Sequence, residues 1–383
     1  VAPEGVRAAA ALSEHPLATH AIGECVGQLL EAAGAGPDLA TLFATGPLLG
    51  ATEDLAGVVR RILRPRILLG AGTAGVIGGP REVEERAAVG LFGVWGLPAG
   101  LRPVCLAPGR AAGTGSIGAS ELVGAAGTLV LVADPFSVAA EDFCEGLGRT
   151  APDLVVVGGL ASGGRGPGGN RMLLDGEVHD TGAVGVLLPP GAPVGVVVSQ
   201  GGRPVGPPFT VTAAEGRVVS GLAGRPALDR LREVLDALPE GDRLLAAGGL
   251  LLGRALVDGR DEPARGDVLV HPVVGADRDR RAIVVRGDVA PGSTVQFQVR
   301  DAATAAEDLD AALAGRAAAG AVVFSGVARG TALFGAPDRD AAAVAEVVGP
   351  AAVAGTFAAG VLGPVGGRPV LLGDRAIAVA LVG

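Results

Sequence analysis

The 383-residue sequence has no tyrosine, one tryptophan, one methionine and three cysteines, and all 31 of its basic residues are arginine. The missing lysine excludes several chemistries at once. A Walker-type phosphate loop needs the lysine of G-x-x-x-x-G-K-[ST], and Schiff-base or pyridoxal-phosphate catalysis needs a lysine amine. Few aromatics and a net charge of −9 argue against nucleic acid, which calls for a basic footprint and stacking platforms. Cys25, Cys105 and Cys144 are odd in number and far apart. They make neither a disulfide framework nor a C-x-x-C metal pair, and they suit a reducing cytoplasm. No basic segment followed by an apolar core opens the chain, so no signal peptide is expected. The longest uncharged stretch, residues 347–367, is broken by Pro350, Pro364 and several glycines. It reads as a buried strand–turn–strand and not as a membrane span.

Glycine is what the chain has in abundance, 65 residues of it, alongside much alanine, arginine and proline, the usage of a high-GC bacterial genome. Within "ILLGAGTAGVIGG" (67–79), Gly70, Gly72 and Gly75 have the G-x-G-x-x-G spacing of a dinucleotide-binding turn. A second stretch decides against that reading. "RPRILLGAGTAGVIGG" (64–79) aligns with "GPAAVAGTFAAGVLGP" (349–364) at a constant offset. Pro65, Gly70, Gly75 and Gly78 then fall opposite Pro350, Gly355, Gly360 and Gly363, but Gly72 falls opposite Phe357. The middle glycine is the one that lets a backbone approach a pyrophosphate, so the conserved spacing is that of a turn. Gly78-Gly79-Pro80 would also break the helix that such a motif must open.

The flanks carry the same order. "LATLFATG" (39–46) and "AGAVVFSG" (319–326) read as strands. "TEDLAGVVRRIL" (52–63) and "DAAAVAEVV" (340–348) have apolar residues at helical spacing and acids in the first turn. A looser third copy runs through "GTLVLVADP" (127–135), "AAEDFCEGLGR" (139–149) and "PDLVVVGGLASGG" (152–164), where Gly158 and Gly163 keep the five-residue step. The expectation is an α+β fold: two related domains of twisted mixed or antiparallel sheets, helices on the outer faces, and internal strand–helix–strand–turn–strand repeats. Two segments, 183–200 and 282–300, read as hairpins turning at Pro/Gly clusters.

Taken together, these stretches resemble the FIST family of intracellular signal-transduction sensory domains. The matching segments include "PRILLGAGTAGVIGGPREVEERAAV" (65–89), "ADPFS" (133–137), "LLDGEVHDTGAVGVLL" (173–188), "VSQGGRPVGPPFTVTAAEG" (198–216), "GRPALDRL" (224–231), "VQFQVRDA" (295–302), "FSGVARGTALFG" (324–335) and "AAGVLGPVGG" (358–367). The resemblance implies a helical lead-in over 1–36, a FIST N-terminal domain over 37–222 and a FIST C-terminal domain over 223–383. It also implies a cytoplasmic small-ligand sensor for an amino acid or carboxylate metabolite, signalling through a separate protein partner, with no cofactor and no membrane contact. This chain departs from the family pattern at Gly202 and Gly326, where relatives tend to have cysteine, and at Val361, where they tend to have glutamate.

Two arginine loops following strands are the foremost binding candidates. One carries Gln200, Gly201 and Arg203; the other carries Ser325, Arg329, Gly330 and Phe334. A guanidinium among open backbone N–H groups suits a carboxylate or phosphate, whereas the plainer role of each arginine is to cap carbonyls or pair with an acid. Gly158, Gly159, Ser162, Asp175, Gly360 and Gly363 complete the candidate set. Asp175-Gly176 also reads as a hairpin turn. His15 and His20 lack a third ligand for a metal. His179 beside Asp180 lacks a G-x-S-x-G elbow, so no catalytic residue is assigned. A degenerate FIST scaffold serving as a protein-interaction module stands as the alternative to the sensor, and an enzyme follows it.

Overall fold

A computed structural model describes residues 5–108, 119–256 and 267–383. The chain forms two compact units, one made of residues up to 198 together with those from 310 onward, the other of residues 199–309.

The first unit begins with β1 (Arg7–Ser13), helix α1 (Ala18–Ala33), β2 (Leu39–Thr45), helix α2 (Thr52–Ile62), β3 (Ile67–Thr73), the hairpin of β4 (Gly75–Gly78) and β5 (Arg81–Glu84), and β6 (Val89–Trp95). The lead-in is therefore not helical throughout. Ala9, Ala11 and Ser13 are buried at alternate positions while β1 pairs antiparallel with β6, and that long-range pairing overrides the helix propensity of an alanine run. The same order continues with β7 (Arg102–Leu106), β8 (Gly127–Ala133), α3 (Ala140–Thr150), β9 (Leu154–Leu160), the hairpin of β10 (Met172–Leu174) and β11 (Glu177–His179), β12 (Ala183–Leu188) and β13 (Val194–Ser199).

The second unit holds β14 (Arg203–Pro204), β15 (Phe209–Glu215), β16 (Val218–Leu222), β17 (Arg225–Pro226), α4 (Ala227–Ala237), α5 (Glu240–Gly248), β18 (Leu251–Ala255), β19 (Val268–Asp277), β20 (Ala282–Val285) and β21 (Thr294–Val299). Strands β15, β16, β20, β19, β18 and β21 pair in that order, and β21 pairs back to β15, closing an antiparallel ring. Closure removes sheet edges. Phe209, Phe297, Leu252 and Ile283 share its core with Leu228, Leu231 and Val234 of α4.

After α6 (Ala302–Leu313) the first unit resumes with β22 (Gly320–Gly326), α7 (Gly330–Phe334), α8 (Arg339–Val348), β23 (Val353–Ala358), the hairpin of β24 (Val361–Val365) and β25 (Arg368–Leu372), and β26 (Ile377–Val382).

Three six-stranded sheets of like construction result. Their orders are β1-β6-β2-β3-β10-β11, β7-β12-β8-β9-β24-β25 and β13-β26-β22-β23-β4-β5. Each has one parallel pair at its centre: β2 with β3, β8 with β9, and β22 with β23. Each ends in a hairpin that the chain supplies from another sheet's segment, so the three are linked in a cycle. Gly70, Gly158 and Gly355 stand at the same register position, opposite Leu42, Leu131 and Val323. A Cβ there would lie 2.1, 1.9 and 2.3 Å from the partner's carbonyl oxygen, so the close approach of the strands requires glycine.

Helices cover one face of these sheets. In α2, Leu55, Ala56 and Val59 are buried, Glu53 and Asp54 lie in the first turn and Arg60 and Arg61 in the last, which complements the helix dipole at both ends. α3 repeats the arrangement with Phe143, Cys144 and Leu147 inward, Glu141 and Asp142 first, and Arg149 last. No described helix is long and apolar enough to cross a membrane.

The expected hairpins at 183–200 and 282–300 do not form. β12 pairs with β7 and β8, and β13 with β26; β20 pairs with β16 and β19, and β21 with β14, β15 and β18. A Pro/Gly cluster marks a change of direction, but the strand partner is chosen by distant residues. The G-x-G-x-x-G run passes from β3 into β4, strand to strand, with no helix opened.

Candidate functional site

The loop after β22 holds its arginine inside the protein. Arg329 and Asp340 are both 0% exposed, and Arg329 Nε donates to Asp340 Oδ2 at 2.5 Å. Arg329 Nη1 also donates to the Arg375 carbonyl, and its guanidinium lies over the Phe334 ring at 5.4 Å. Ser325 Oγ donates to the same Asp340 oxygen at 3.2 Å. Asp340 Oδ1 is buried without a hydrogen-bond partner among the described residues. Gly330 adopts φ +25°, and a Cβ on it would meet Glu84 Oε1 at 2.6 Å and the Phe357 ring at 2.8 Å. Ser325, Arg329, Gly330 and Phe334 are thus brought together around one buried ion pair.

Two glutamates from the β4–β5 segment reach this region, and sequence reasoning missed both. Glu82 Oε1 accepts from the backbone N–H groups of Asp340 and Ala341, Glu82 Oε2 accepts from that of Asp338, and Asp338 Oδ1 accepts from the Glu82 N–H in return. Its carboxylate therefore satisfies the open N–H groups of the first turn of α8. Glu84 Oε1 accepts from the Thr331 N–H and hydroxyl at the start of α7. Burial first, then the charge of Asp340, raises the pKa of Glu82 to about 7.

The glycine candidates gather where the parallel strands end. Thr73, Val132, Gly159, Phe324, Thr356 and Ala358 line a narrow apolar pocket. Ser162, just beyond β9, is a tie between segments: its Oγ accepts from the Ala74 N–H at 2.9 Å and donates to the Phe357 carbonyl at 2.5 Å. The Gly360 carbonyl accepts from Leu160 N–H, and Gly363 faces Val198 so closely that a Cβ would lie 2.7 Å from it. Asp175 is separate from this group. It sits at φ +52° in the β10–β11 turn, pairs with Arg60 at 3.0 Å and accepts from the Leu68 N–H.

In the second unit the Gln200–Arg203 loop is built differently. Gln200 uses its side-chain amide as a strand would use its backbone, donating to the Val268 carbonyl at 2.6 Å and accepting from the Val270 N–H at 3.0 Å. Asp308 Oδ2 accepts from Ser199 Oγ and from the N–H groups of Gln200 and Gly201, which fixes the turn. Arg203 meets Asp242 of α5 at two points, 2.5 and 3.3 Å. The two side chains are 41% and 21% exposed, so solvent reaches both partners.

Gly326 and Gly202 are both closely packed. A Cβ at Gly326 would lie 2.1 Å from the Asp374 backbone oxygen, and one at Gly202 would lie 2.2 Å from Gln298 Oε1.

Comparison with known proteins agrees with the architecture. Residues 38–225 match the FIST N domain and residues 227–364 the FIST C domain. The chain belongs to the FIST family. FIST domains are signal-transduction sensory domains. The chain is also 36% identical over 383 residues to an uncharacterized protein of Mycobacterium bovis, covering 94% of this chain and 95% of that one. It is 37% identical over 354 residues to an uncharacterized protein of Mycobacterium tuberculosis, covering 90% and 91%. The family segments meet near residue 226, whereas the compact units divide at 198 and 310, so the second unit draws on both segments.

Proposed function

We propose that this FIST protein is a cytoplasmic sensory module that binds a small amino acid or carboxylate metabolite and signals through a separate protein partner. The observation that supports this reading is the half-exposed, two-point contact of Arg203 with Asp242. A guanidinium that already holds a carboxylate in fork geometry, within reach of solvent, can exchange it for a ligand's carboxylate. The released Asp242 is then available to an ammonium group, so an amino acid replaces one internal ion pair with two of its own. Because Asp242 lies in α5, ligand exchange acts directly on that helix, which is where a signal would start. The buried Arg329 set holds the other loop in place. The free thiols of Cys25, Cys105 and Cys144 are compatible with a reducing compartment. We read the three like-built sheets as copies of one strand–helix–strand unit, on the shared position of Gly70, Gly158 and Gly355.

A thermal-shift screen against amino acids, organic acids, nucleotides and NAD(P) tests the sensor. A ligand at about a hundred times its Kd stabilises by roughly 2.7 kcal/mol, and the shift should vanish in Arg203→Ala. One observation favours the interaction module instead: Gln200, Gly201 and Arg203 all have internal partners. Silence across the panel would support that second reading, and a shift with NAD(P) would overturn the rejection of the dinucleotide turn.

A further inference from the structure

Of the three thiols, only that of Cys105 is exposed. Cys25 and Cys144 lie in the core, where burial pushes each thiol up to about 12. Cys105 is on the outward side of β7, between the buried Val104 and Leu106. An imidazole meets it there, with His179 Nδ1 3.8 Å from Cys105 Sγ. The two residues come from different sheets of the first unit: β7 is the last strand of the second sheet, and β11 the last strand of the first. Each is set by a main-chain ladder, Cys105 opposite Val184 and His179 opposite Met172. Paired strands, not loops, therefore hold the sulfur and the nitrogen at this spacing.

A thiol is a weak hydrogen-bond donor, so the contact by itself contributes little to the fold. The spacing suits a shared metal ion. Bonds of about 2.3 Å to sulfur and about 2.0 Å to nitrogen, at a near-tetrahedral angle, place those two atoms about 3.5–3.8 Å apart. The surrounding charge has the matching sign. Glu177 lies on the same face of β11 as His179, two residues away, and both Glu177 and Glu121 are exposed. Partial desolvation first, then the charges of Glu121 and Glu177, raises the Cys105 thiol. That field disfavours a bare thiolate and so argues against a nucleophile or redox sensor. It attracts a cation, and a cation bound to the sulfur favours the thiolate. His15 and His20 are no second site of this kind, because their rings stack at 4.7 Å and His15 Nδ1 already accepts from the Leu17 N–H.

We propose that Cys105 and His179 bind a zinc-class divalent cation, clipping the edge of the first sheet to the edge of the second. Thiolate and imidazole favour zinc over the oxygen-seeking calcium and magnesium. The thiol proton leaves to solvent as the ion binds. No group of three ligating side chains stands together among the described residues. Water therefore completes the coordination, and the ion exchanges with solvent instead of forming a closed structural centre.

Cobalt(II) titration of the reduced full chain tests the site, because a thiolate ligand gives a sulfur-to-cobalt charge-transfer band. Expected is a saturable band in wild type that Zn2+ displaces and Mg2+ does not. The band should be absent in Cys105→Ser, and His179→Gln should need at least about tenfold more cobalt. Both substitutions are at the surface and should leave the metal-free Tm unchanged, so a lost band is not a lost fold. Alkylation of Cys105, read by mass spectrometry, should slow with added Zn2+ and ignore Mg2+. No band in wild type, an equal band in Cys105→Ser, an unaltered cobalt requirement in His179→Gln, or alkylation indifferent to Zn2+ would each overturn the proposal. The alkylation needs no variant, and it decides alone should either substitution disturb folding.

Discussion

Two arginine loops, "SQGGRPVGPP" and "SGVARGTALFG", look interchangeable on paper: each follows a strand, is rich in glycine and offers one guanidinium. Folded, they differ in the property that matters for binding. Arg329 is sealed from solvent with its carboxylate, whereas Arg203 meets Asp242 at a surface that water reaches. Position after a strand is thus a weak guide to a site. What distinguishes the loops is whether the arginine's partner lies inside the core or on a helix at the surface, and that is set by residues far along the chain.

The sharpest way to break the comparison is to remove each arginine. Arg329→Met leaves Asp340 buried and without its cation, and should cost about 3–5 kcal/mol in chemical denaturation. Arg329→Met combined with Asp340→Leu should recover most of that loss, because an apolar pair of similar volume is tolerated where a single buried charge is not. If Arg329→Met alone unfolded like wild type, the sealed loop would be no stronger a fixture than the open one.

The two units also offer opposite responses to pH. His271 in the barrel is held near pKa 4, mainly by burial and then by the charge of Arg254; its Nε2 has no partner among the described residues, and its ring lies against Gly287. An unfolded chain protonates this histidine near pH 6.5 and the folded one near 4. Stability is therefore lost as pH falls across that window, by up to about 3 kcal/mol. Glu82 runs the other way: an unfolded chain gives up its proton near pH 4.5 and the folded one near pH 7, so its contribution is lost as pH rises across that window. His271→Gln should flatten the acid limb of a stability–pH curve, while Glu82→Gln should flatten the limb that declines toward neutral pH. A single curve shape for both variants would show that the units do not titrate separately.

Much of the fold was legible because its signals are local. The helices at 52–62, 140–150 and 339–348 could be read from apolar spacing and acids in the first turn, and the α+β class followed. Strand pairing was not legible. A Pro/Gly cluster marks where a strand ends but not which sheet receives the next, so the expected hairpins failed while the Asp175–Gly176 turn held. Of the buried cluster, Ser325 and Arg329 stood out as residue types. Glu82 did not, because inside "REVEER" it reads as one charge in a solvated run. The one available signal was its placement next to Val83 in a strand buried at both positions.

Glycine substitutions sharpen the comparison on a smaller scale. Gly326 faces the Asp374 backbone, which cannot step aside, so Gly326→Ala should cost about 1–3 kcal/mol. Gly202 faces the end of the Gln298 side chain, which can rotate away, so Gly202→Ala should cost about 1 kcal/mol or less. Equal losses in thermal unfolding would mean that Gln298 is held as firmly as backbone.

The smallest stability effect carries the most functional weight. Arg203→Ala removes a solvent-reached ion pair, and such pairs contribute about 0–1 kcal/mol, so Tm without ligand should barely move. A carboxylate ligand that stabilises the wild-type chain should lose its effect in this variant, and Asp242→Asn should weaken amino acids more than simple carboxylates, since only the former bring an ammonium group. Retained stabilisation in Arg203→Ala would place the ligand elsewhere, and the open loop would then share the structural role of the sealed one. Loss of binding with an unchanged Tm would separate recognition from stability at a single residue, which the buried Arg329 cannot do because its removal also costs stability.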